Sequence, residues 1–465
     1  MKKGPPKEQQ KNELHRVGFL AGLIYLVFTP AELLPILATL PPASRWWVAY
    51  SGGLDSHCLL HALANLAPYR LRLAAVYVDH GLNPASSEWG RHGARICEAL
   101  GVPYRVIPVQ AAPQPGESPE AAARTARYGA LAGVMAAGDG LFTAHHQNDQ
   151  AETLLLQLLR GAGPRGLAAM PWLAPFPPGW LARPLLQVNR QALRGYGQSQ
   201  GLVWVEDDSN GREDYRRNYL RQQILPRLTA RWPGATATLA RAAIHQGETA
   251  DLLLTLGRMD LGAAARGNVL TLSSNLIELP TSRLRNGLRS WIQDCGFLPP
   301  SSHVLEQLVT QVLPARWDAT PCLSWPGAEL RRYRDRLFLL SPLRPLPALT
   351  WEVSWDFTEP LVLPWGGKLI AESISGDALL QSGEIAATGE GVTVRRRRGG
   401  EICRAPGRTH HHPLKDWWQQ AGIPPWERER TPLLYQGGEL VAVPGLCQSY
   451  SPPPGETMWR IQWQR

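Results

Sequence analysis

The chain has 465 residues, 44% hydrophobic and 19% charged, with 44 Gly and 41 Pro. That is room for about three domains at roughly 150 residues each, with too little Gly and Pro for low-complexity disorder, which excludes a single small module and an unfolded chain. The formal net charge of +9 on a sparsely charged chain makes an acidic partner, nucleic acid first, the expectation.

Met1-Lys2-Lys3 and further charges precede an apolar run from Val17 to Phe28, closed by Thr29-Pro30. The run imitates the core of a signal peptide, but it is too short to cross a bilayer and no small-residue cleavage site follows. Residues 1–44 are read as an extension outside the catalytic fold, those before about Leu26 as coming from an upstream start, and no membrane association is expected.

From residue 45 to 230, short apolar runs alternate with helical stretches. Trp46–Tyr50, Leu73–Val78, Tyr104–Val109 and Leu141–Ala144 read as strands; Ser56–Leu66, Ala85–Leu100, Pro119–Ala137 and Asp149–Arg160 read as helices. This alternation predicts an α/β fold, a parallel Rossmann-like sheet covered by helices, with its ligand beyond the carboxyl ends of the strands.

Ser51-Gly52-Gly53-Leu54-Asp55-Ser56 lies between the first strand and its helix. Two glycines let the backbone close on an anion, successive N–H groups and the helix N-terminus face it, and two hydroxyls add donors. These six residues predict a phosphate site; an ordinary strand-to-helix turn capped by Ser and Asp is the alternative. No Lys precedes the Ser as a Walker A loop requires, and Asp55, repelled by phosphate, is expected to act through Mg2+. Gly161-Ala162-Gly163-Pro164-Arg165-Gly166 matches the dinucleotide fingerprint in letters only: it follows a helix, and Pro164 has no N–H, so a helix end and loop is expected. Asp149 and Glu152 share a helix face just after His145, though on the residues alone an N-cap and its capping-box partner is the favoured reading.

Residues 231–345 are Ala/Leu/Arg-rich with helical spacing and predict a small helical domain; 346–390 read as a linker passing into short strands. Residues 391–465 form a basic C-terminal domain with 11 Lys/Arg against 6 Asp/Glu. Within it, Arg395, Arg396, Arg397 and Arg398 are either a phosphate-contacting strip or a solvated run, and Trp417, Trp418 and Trp426 are either RNA-stacking or core. The adjacent His410, His411 and His412 cannot all face one ion, so loop histidines are expected there. Six scattered cysteines without finger-like spacing predict buried free thiols, a reducing cytoplasm and no structural zinc.

Ser51–Ser56 after a strand resembles the pyrophosphatase loop of the N-type ATP-pyrophosphatases. Further motifs resemble one family among them, the tRNA(Ile)-lysidine synthetases: Val78-Asp79-His80-Gly81-Leu82, Glu120–Arg124 with Arg127-Tyr128, and Thr143–His146 followed by Asp149–Thr153. So do Arg160–Gly163, Arg183–Leu186, Asp207–Asn210 with Arg217-Asn218 and Arg221, then Tyr333–Leu337, Arg397–Gly400, Leu414-Lys415 and Ile423–Arg428. The resemblance covers residues 45 to 465. It departs at Gln147-Asn148, where the family usually has an aspartate, and in the N-terminal extension.

The resemblance implies a cytoplasmic, ATP-using PP-loop ligase followed by a small helical domain and an α+β C-terminal domain, both binding tRNA. ATP would adenylate the C2 oxygen of the wobble cytidine in the CAU anticodon of tRNA(Ile), and the ε-amine of L-lysine would displace AMP, leaving lysidine, so that AUA is read instead of AUG. It implies catalytic roles for Asp55, His145, Asp149 and Glu152. It implies ATP contacts from Ser51, Gly52, Gly53, Leu54, Asp55, Ser56 and Asp79, with Mg2+ on Asp55. RNA contacts would come from Arg124, Arg127, Arg217, Arg221, Arg395, Arg396, Arg397, Arg398 and Lys415, and a homodimer is the candidate assembly. A ring carbonyl is a poor electrophile, so converting its oxygen into an AMP ester makes substitution by an amine feasible. A tRNA thiolase of the same superfamily is the first rival, but Cys58 and Cys97 offer no cluster-binding spacing. A non-catalytic RNA-binding protein is the second, and leaves the phosphate loop unexplained.

Overall fold

The computed structural model describes residues 17–20, 23–26, 28–81, 83–110, 119–206, 216–374, 385–388, 391–404, 411–448 and 458–464. Two compact units divide the chain, Met1–Leu253 and Leu254–Arg465.

The first unit is built on six strands: β1 (Trp46–Ala49), β2 (Leu73–Asp79), β3 (Tyr104–Pro108), β4 (Gly140–Phe142), β5 (Leu173–Phe176) and β6 (Gly179–Ala182). They lie in the order β3-β2-β1-β4-β6-β5, all parallel except the edge strand β5. Five helices follow the strands: α1 (Leu54–Ala64), α2 (Ser86–Leu100), α3 (Pro119–Val134), α4 (Gln147–Leu158) and α5 (Arg190–Ser199). Successive strand residues feed opposite faces. Trp46, Val48, Leu73 and Ala75 join Leu59, Leu63 and Leu193 in one core layer; Trp47, Ala74, Val76 and Val78 join Leu131 and Leu141 in the other. Burial on both faces explains why these strands read as continuous apolar runs.

Two expectations are corrected here. The run from Val17 is an antiparallel hairpin of Val17–Leu20 with Leu23–Leu26, and the extension does not reach residue 44. Phe28, Leu33 and Leu37 are buried in the α1-side core, with the Phe28 ring edge-on to Tyr196 at 5.2 Å. Among the described residues no helix is long and apolar enough to cross a membrane.

A 27-residue helix, Ala235–Leu261, carries the sequence across the division. The region expected to be helical also holds a five-stranded antiparallel sheet that includes Cys322–Trp325, Ala328–Tyr333 and Arg336–Leu340. Helix Thr281–Asp294 shares its core through Leu288, Trp291 and Ile292. Tyr333–Leu337 is a hairpin turn, not helix, with Arg334 at φ 56. The C-terminal part adds a five-stranded and a four-stranded antiparallel sheet around Trp355, Trp365, Val394 and Ile461. Cys58 and Cys97 are buried free thiols, as expected, but Cys295 is half-buried, Cys322 is exposed and Cys403 is disulfide-bonded.

Candidate active site

The Ser51–Ser56 loop emerges from the carboxyl end of β1 and enters α1. Gly52 sits at φ +82, a conformation that L side chains rarely adopt, and its carbonyl accepts from the Val205 N–H at 2.9 Å. Inside the loop the Ser51 N–H donates to Ser56 Oγ (3.1 Å), which donates to the Gly53 carbonyl (3.0 Å). The amides of the first turn of α1 have no intrahelical acceptor and are left for an anion.

Two cavities meet at this loop and share Ser51, Gly53, Asp55 and Ser56. The smaller, about 380 Å³, is walled by strand-end residues such as Val76 and Val78, with Trp89, Tyr128 and His145. The larger, about 1040 Å³, is walled by Asn148, Arg190, Arg194, Glu206 and Arg221.

Asp149 and Glu152 lie one turn apart on α4 and are both buried. The helix is capped by His146, whose N–H donates to Asp149 Oδ2 (3.0 Å), so the capping box pairs His146 with Asp149 and leaves Glu152 out of it. Arg217 Nε donates to Glu152 (2.7 Å) and its Nη2 to Asp149 (2.9 Å); Arg221 repeats the pattern at 2.7 and 3.0 Å. Both arginines, expected on the RNA face, are thus engaged with the carboxylate pair. Burial pushes the Asp149 carboxyl up, but the charges of His146 and Arg217 outweigh it and hold it down at about 2. His146 Nε2 stands 3.5 Å from Asp55 and 3.4 Å from Asp149, linking the loop to the pair. Sequence reasoning chose His145 and passed over His146. The residue directly before a helix, three before an Asp, was the available signal.

His145 lines the smaller cavity, with Thr143 Oγ1 2.8 Å from its Nδ1. Burial, reinforced by Arg183 and Arg217 against Asp149, lowers its pKa to about 3, and burial lowers that of His57 to about 4. Both imidazoles are neutral in the folded protein. Their contribution to stability is full above pH 6.5 and is lost as pH falls toward those values, because the unfolded chain binds the protons first. Each should cost up to about 1.4 kcal/mol per pH unit. Urea midpoints measured as the pH is lowered from 6.5 should fall, and a flat profile would contradict two buried neutral histidines.

Asp79 ends β2, but its carboxylate turns to the Gly81 N–H (2.9 Å) and is held below the usual range first by Ser86. Its neighbour His80, not Asp79, lines the smaller cavity. Arg127 lines that cavity; Arg124 and Arg127 lie over the Tyr128 ring at 5.0 and 5.5 Å. The C-terminal arginines have internal partners. Arg395 stacks on Tyr435 and Arg396 donates to the Pro347 carbonyl. Arg397 lies over Trp418 and 3.6 Å from Glu401, and Arg398 donates to Glu352 at 2.7 Å. Trp418 and Trp426 are buried core, whereas Lys415 is exposed. The Asp207–Asn210 motif lies outside the described residues. No group of three or more His, Cys, Asp or Glu among the described residues is placed to hold a metal.

A strand–Ser-Gly-Gly-Leu-Asp-Ser–helix loop facing a cavity at the strand ends of a parallel sheet defines a PP-loop ATP-binding domain, and the family model described as PP-loop domain matches residues 30–228. Models described as TilS substrate binding domain and TilS substrate C-terminal domain match 274–338 and 392–463. The chain is 41% identical to the tRNA(Ile)-lysidine synthase of Coxiella burnetii, over 94% of this chain and 97% of that one. Against the tRNA(Ile)-lysidine synthase of Alkalilimnicola ehrlichii it is 45% identical, over 92% and 96%. The chain belongs to the tRNA(Ile)-lysidine synthase family. Among solved structures, the U34-tRNA thiolase NcsA from Methanococcus maripaludis with its [4Fe-4S] cluster aligns over 46% of this chain and 76% of that one at TM-score 0.38 and 15% identity, too distant to bear on activity.

Proposed function

We propose that this enzyme joins L-lysine to C2 of the wobble cytidine in the CAU anticodon of tRNA(Ile), in the cytoplasm, through an adenylated cytidine. The observation that carries this reading is the continuous chain from the ATP loop to a buried carboxylate pair: Asp55, His146, Asp149 and Glu152. The cytidine O2 attacks the α-phosphorus of ATP and pyrophosphate leaves. The lysine ε-amine then attacks C2, the C2–O bond breaks with its electrons going to AMP, and the amine sheds a proton.

The smaller cavity suits the adenosine, its apolar strand-end wall offering a face for the base. His145, neutral, contacts phosphate as a hydrogen-bonding group and not as a cation. Asp149 stays ionised and with Glu152 presents the charge that an ammonium group seeks; a lysine ammonium there takes a place now filled by a guanidinium of Arg217 or Arg221. Asp55 Oδ1 is buried and accepts no hydrogen bond, so this carboxylate fits Mg2+, which when bound would neutralise part of the triphosphate charge. For RNA phosphates the exposed Arg124 and Lys415 are the better-placed contacts, and Arg395 to Arg398 serve chiefly to hold their own strand in place.

Thiolation finds no support in Cys58 or Cys97. Burial pushes Cys58 and Cys97 up to about 12, so neither supplies the thiolate on which sulfur transfer depends. The test is incorporation of labelled lysine into a CAU-anticodon transcript with ATP and Mg2+.

A further inference from the structure

We propose that Arg428 and Arg334 are positioning residues: they fix the C-terminal module on the substrate-binding module, so that one tRNA meets both in a single orientation. This rests on tRNA as the ligand of both modules, and on nothing about lysine.

Two motifs of the sequence, Tyr333–Leu337 and Ile423–Arg428, have no role in the chemistry proposed for the first unit, and they meet inside the second. The former lies in the stretch matched by the substrate binding domain, the latter in that matched by the C-terminal domain. Trp426 is buried where they meet. The Phe338 and Tyr333 rings stand edge-on to it at 5.4 and 6.4 Å, and Arg331 lies over it at 5.4 Å.

Three guanidiniums tie the seam. Arg428, 7% exposed, donates from Nε to the Ile423 carbonyl (2.6 Å) and from Nη2 to the Tyr333 hydroxyl (2.7 Å). Arg334 reaches the other way and donates to the Gln419 carbonyl at 2.8 Å, in the last turn of helix Leu414–Gln420. Its φ of 56 is a conformation that residues other than glycine rarely adopt, and such strain persists where the surrounding contacts impose it. Arg430 adds a tie to the Arg344 carbonyl at 2.7 Å.

All these acceptors are neutral oxygens, and the cations crowd one another. Burial lowers the Arg428 pKa, with Arg397 and Arg334 acting in the same direction against Tyr333; burial and then Arg331 lower that of Arg430. A seam built for stability alone would be apolar, since a buried guanidinium gives up hydration that neutral oxygens return only in part. The rigid fork supplies direction instead: N–H groups in one plane, each with its own acceptor, set one angle between the modules.

The effect reaches RNA through Lys415, which is exposed on the helix whose last turn Arg334 holds. The seam therefore decides where its ammonium stands relative to the substrate-binding module. Two surfaces at a fixed spacing engage one polyanion without the ordering cost of a loose pair, so a loosened seam loses affinity and leaves the chemistry intact.

The experiment measures tRNA affinity of the full-length protein over a range of salt concentrations, with ATP affinity and the kinetics of tRNA-dependent AMP release alongside. Arg428→Gln and Arg428→Lys are each expected to weaken tRNA binding about tenfold, and Tyr333→Phe, which keeps the ring and removes one oxygen, about threefold. KM for tRNA should rise in proportion, with kcat and ATP affinity unchanged. The salt slope should stay parental, because no phosphate contact is lost. Arg428→Gln combined with Tyr333→Phe should bind no more weakly than Arg428→Gln alone, since both break one contact. Parental affinity in Arg428→Gln and Tyr333→Phe overturns the proposal. So does full affinity in Arg428→Lys with the log–log slope lowered by about 0.7–0.9 in Arg428→Gln, which would make Arg428 a direct phosphate contact. A fall in kcat at unchanged KM, the mark of a fold merely weakened, overturns it too. A parent protein that binds no tRNA overturns the underlying reading as well, a result distinct from variants that bind as tightly as the parent.

Discussion

Replacing Asp55 with Ala is expected to lower tRNA-dependent AMP release by about 10²–10³-fold, the scale of losing one preorganised electrostatic contact in a reaction centre. Asp55 is in the first turn of α1 and, among the described residues, is the one acidic residue in the wall shared by both cavities. Its two oxygens face different partners, Oδ2 toward His146 at 3.5 Å and Oδ1 toward Arg190 at 3.8 Å. Losing it removes the candidate Mg2+ ligand and the anchor between loop and carboxylate pair together. The side chain is 28% exposed, so the fold should tolerate the change. The RNA contacts proposed above, Arg124 and Lys415, are other residues, so tRNA affinity should stay near that of the parent protein. AMP release at the parental rate would remove Asp55 from the reaction.

Replacing Glu152 with Ala should destabilise the first unit by about 3–5 kcal/mol, the usual result of stripping one partner from a buried ion pair. Glu152 is 0% exposed and accepts three hydrogen bonds, one from Arg217 and two from Arg221. Without it, two half-buried guanidiniums are left with Asp149 as their carboxylate partner among the described residues. Glu152→Gln keeps the shape and an acceptor and should fall between parent and Ala. Denaturant midpoints for the three proteins test this. A loss within about 0.5 kcal/mol, typical of exposed positions, would mean that the arginines do not depend on Glu152. Turnover should fall in both variants, because Arg217 and Arg221 are then held on one side only.

The parallel sheet was legible because β1 and β2 are buried on both faces: Trp46 to Val48 and Leu73 to Val78 are unbroken apolar runs, and both faces find helices. The hairpin of β5 and β6 was not, because its prolines argue against strands, and Pro175 is tolerated only because β5 is an edge. The sheet of the second unit was hidden in the same way: Arg331, Arg332, Arg334 and Arg336 mask an alternation in which Leu330, Leu337 and Leu339 are the buried residues.

In the site, Ser51–Ser56 could be read directly, since a phosphate loop is local in sequence. The partners that complete it are not. Arg217 and Arg221 reach Asp149 and Glu152 from more than sixty residues away, and Arg190 faces Asp55 only because α5 follows the last strand of the sheet. A basic residue's type does not say whether it meets RNA or a carboxylate. Arg395 to Arg398 make the same point, since strand pairing brings Tyr435 to Arg395, a contact that no spacing in the sequence announces.

The decisive measurement supplies the protein with ATP, Mg2+, labelled lysine and a tRNA(Ile) transcript carrying a CAU anticodon, and counts label in RNA against AMP released. One lysine per AMP is expected, dependent on ATP and on the wobble cytidine, and absent when that base is uridine. Tight tRNA binding with neither AMP release nor label in RNA, or sulfur appearing in the RNA instead, would contradict lysine ligation.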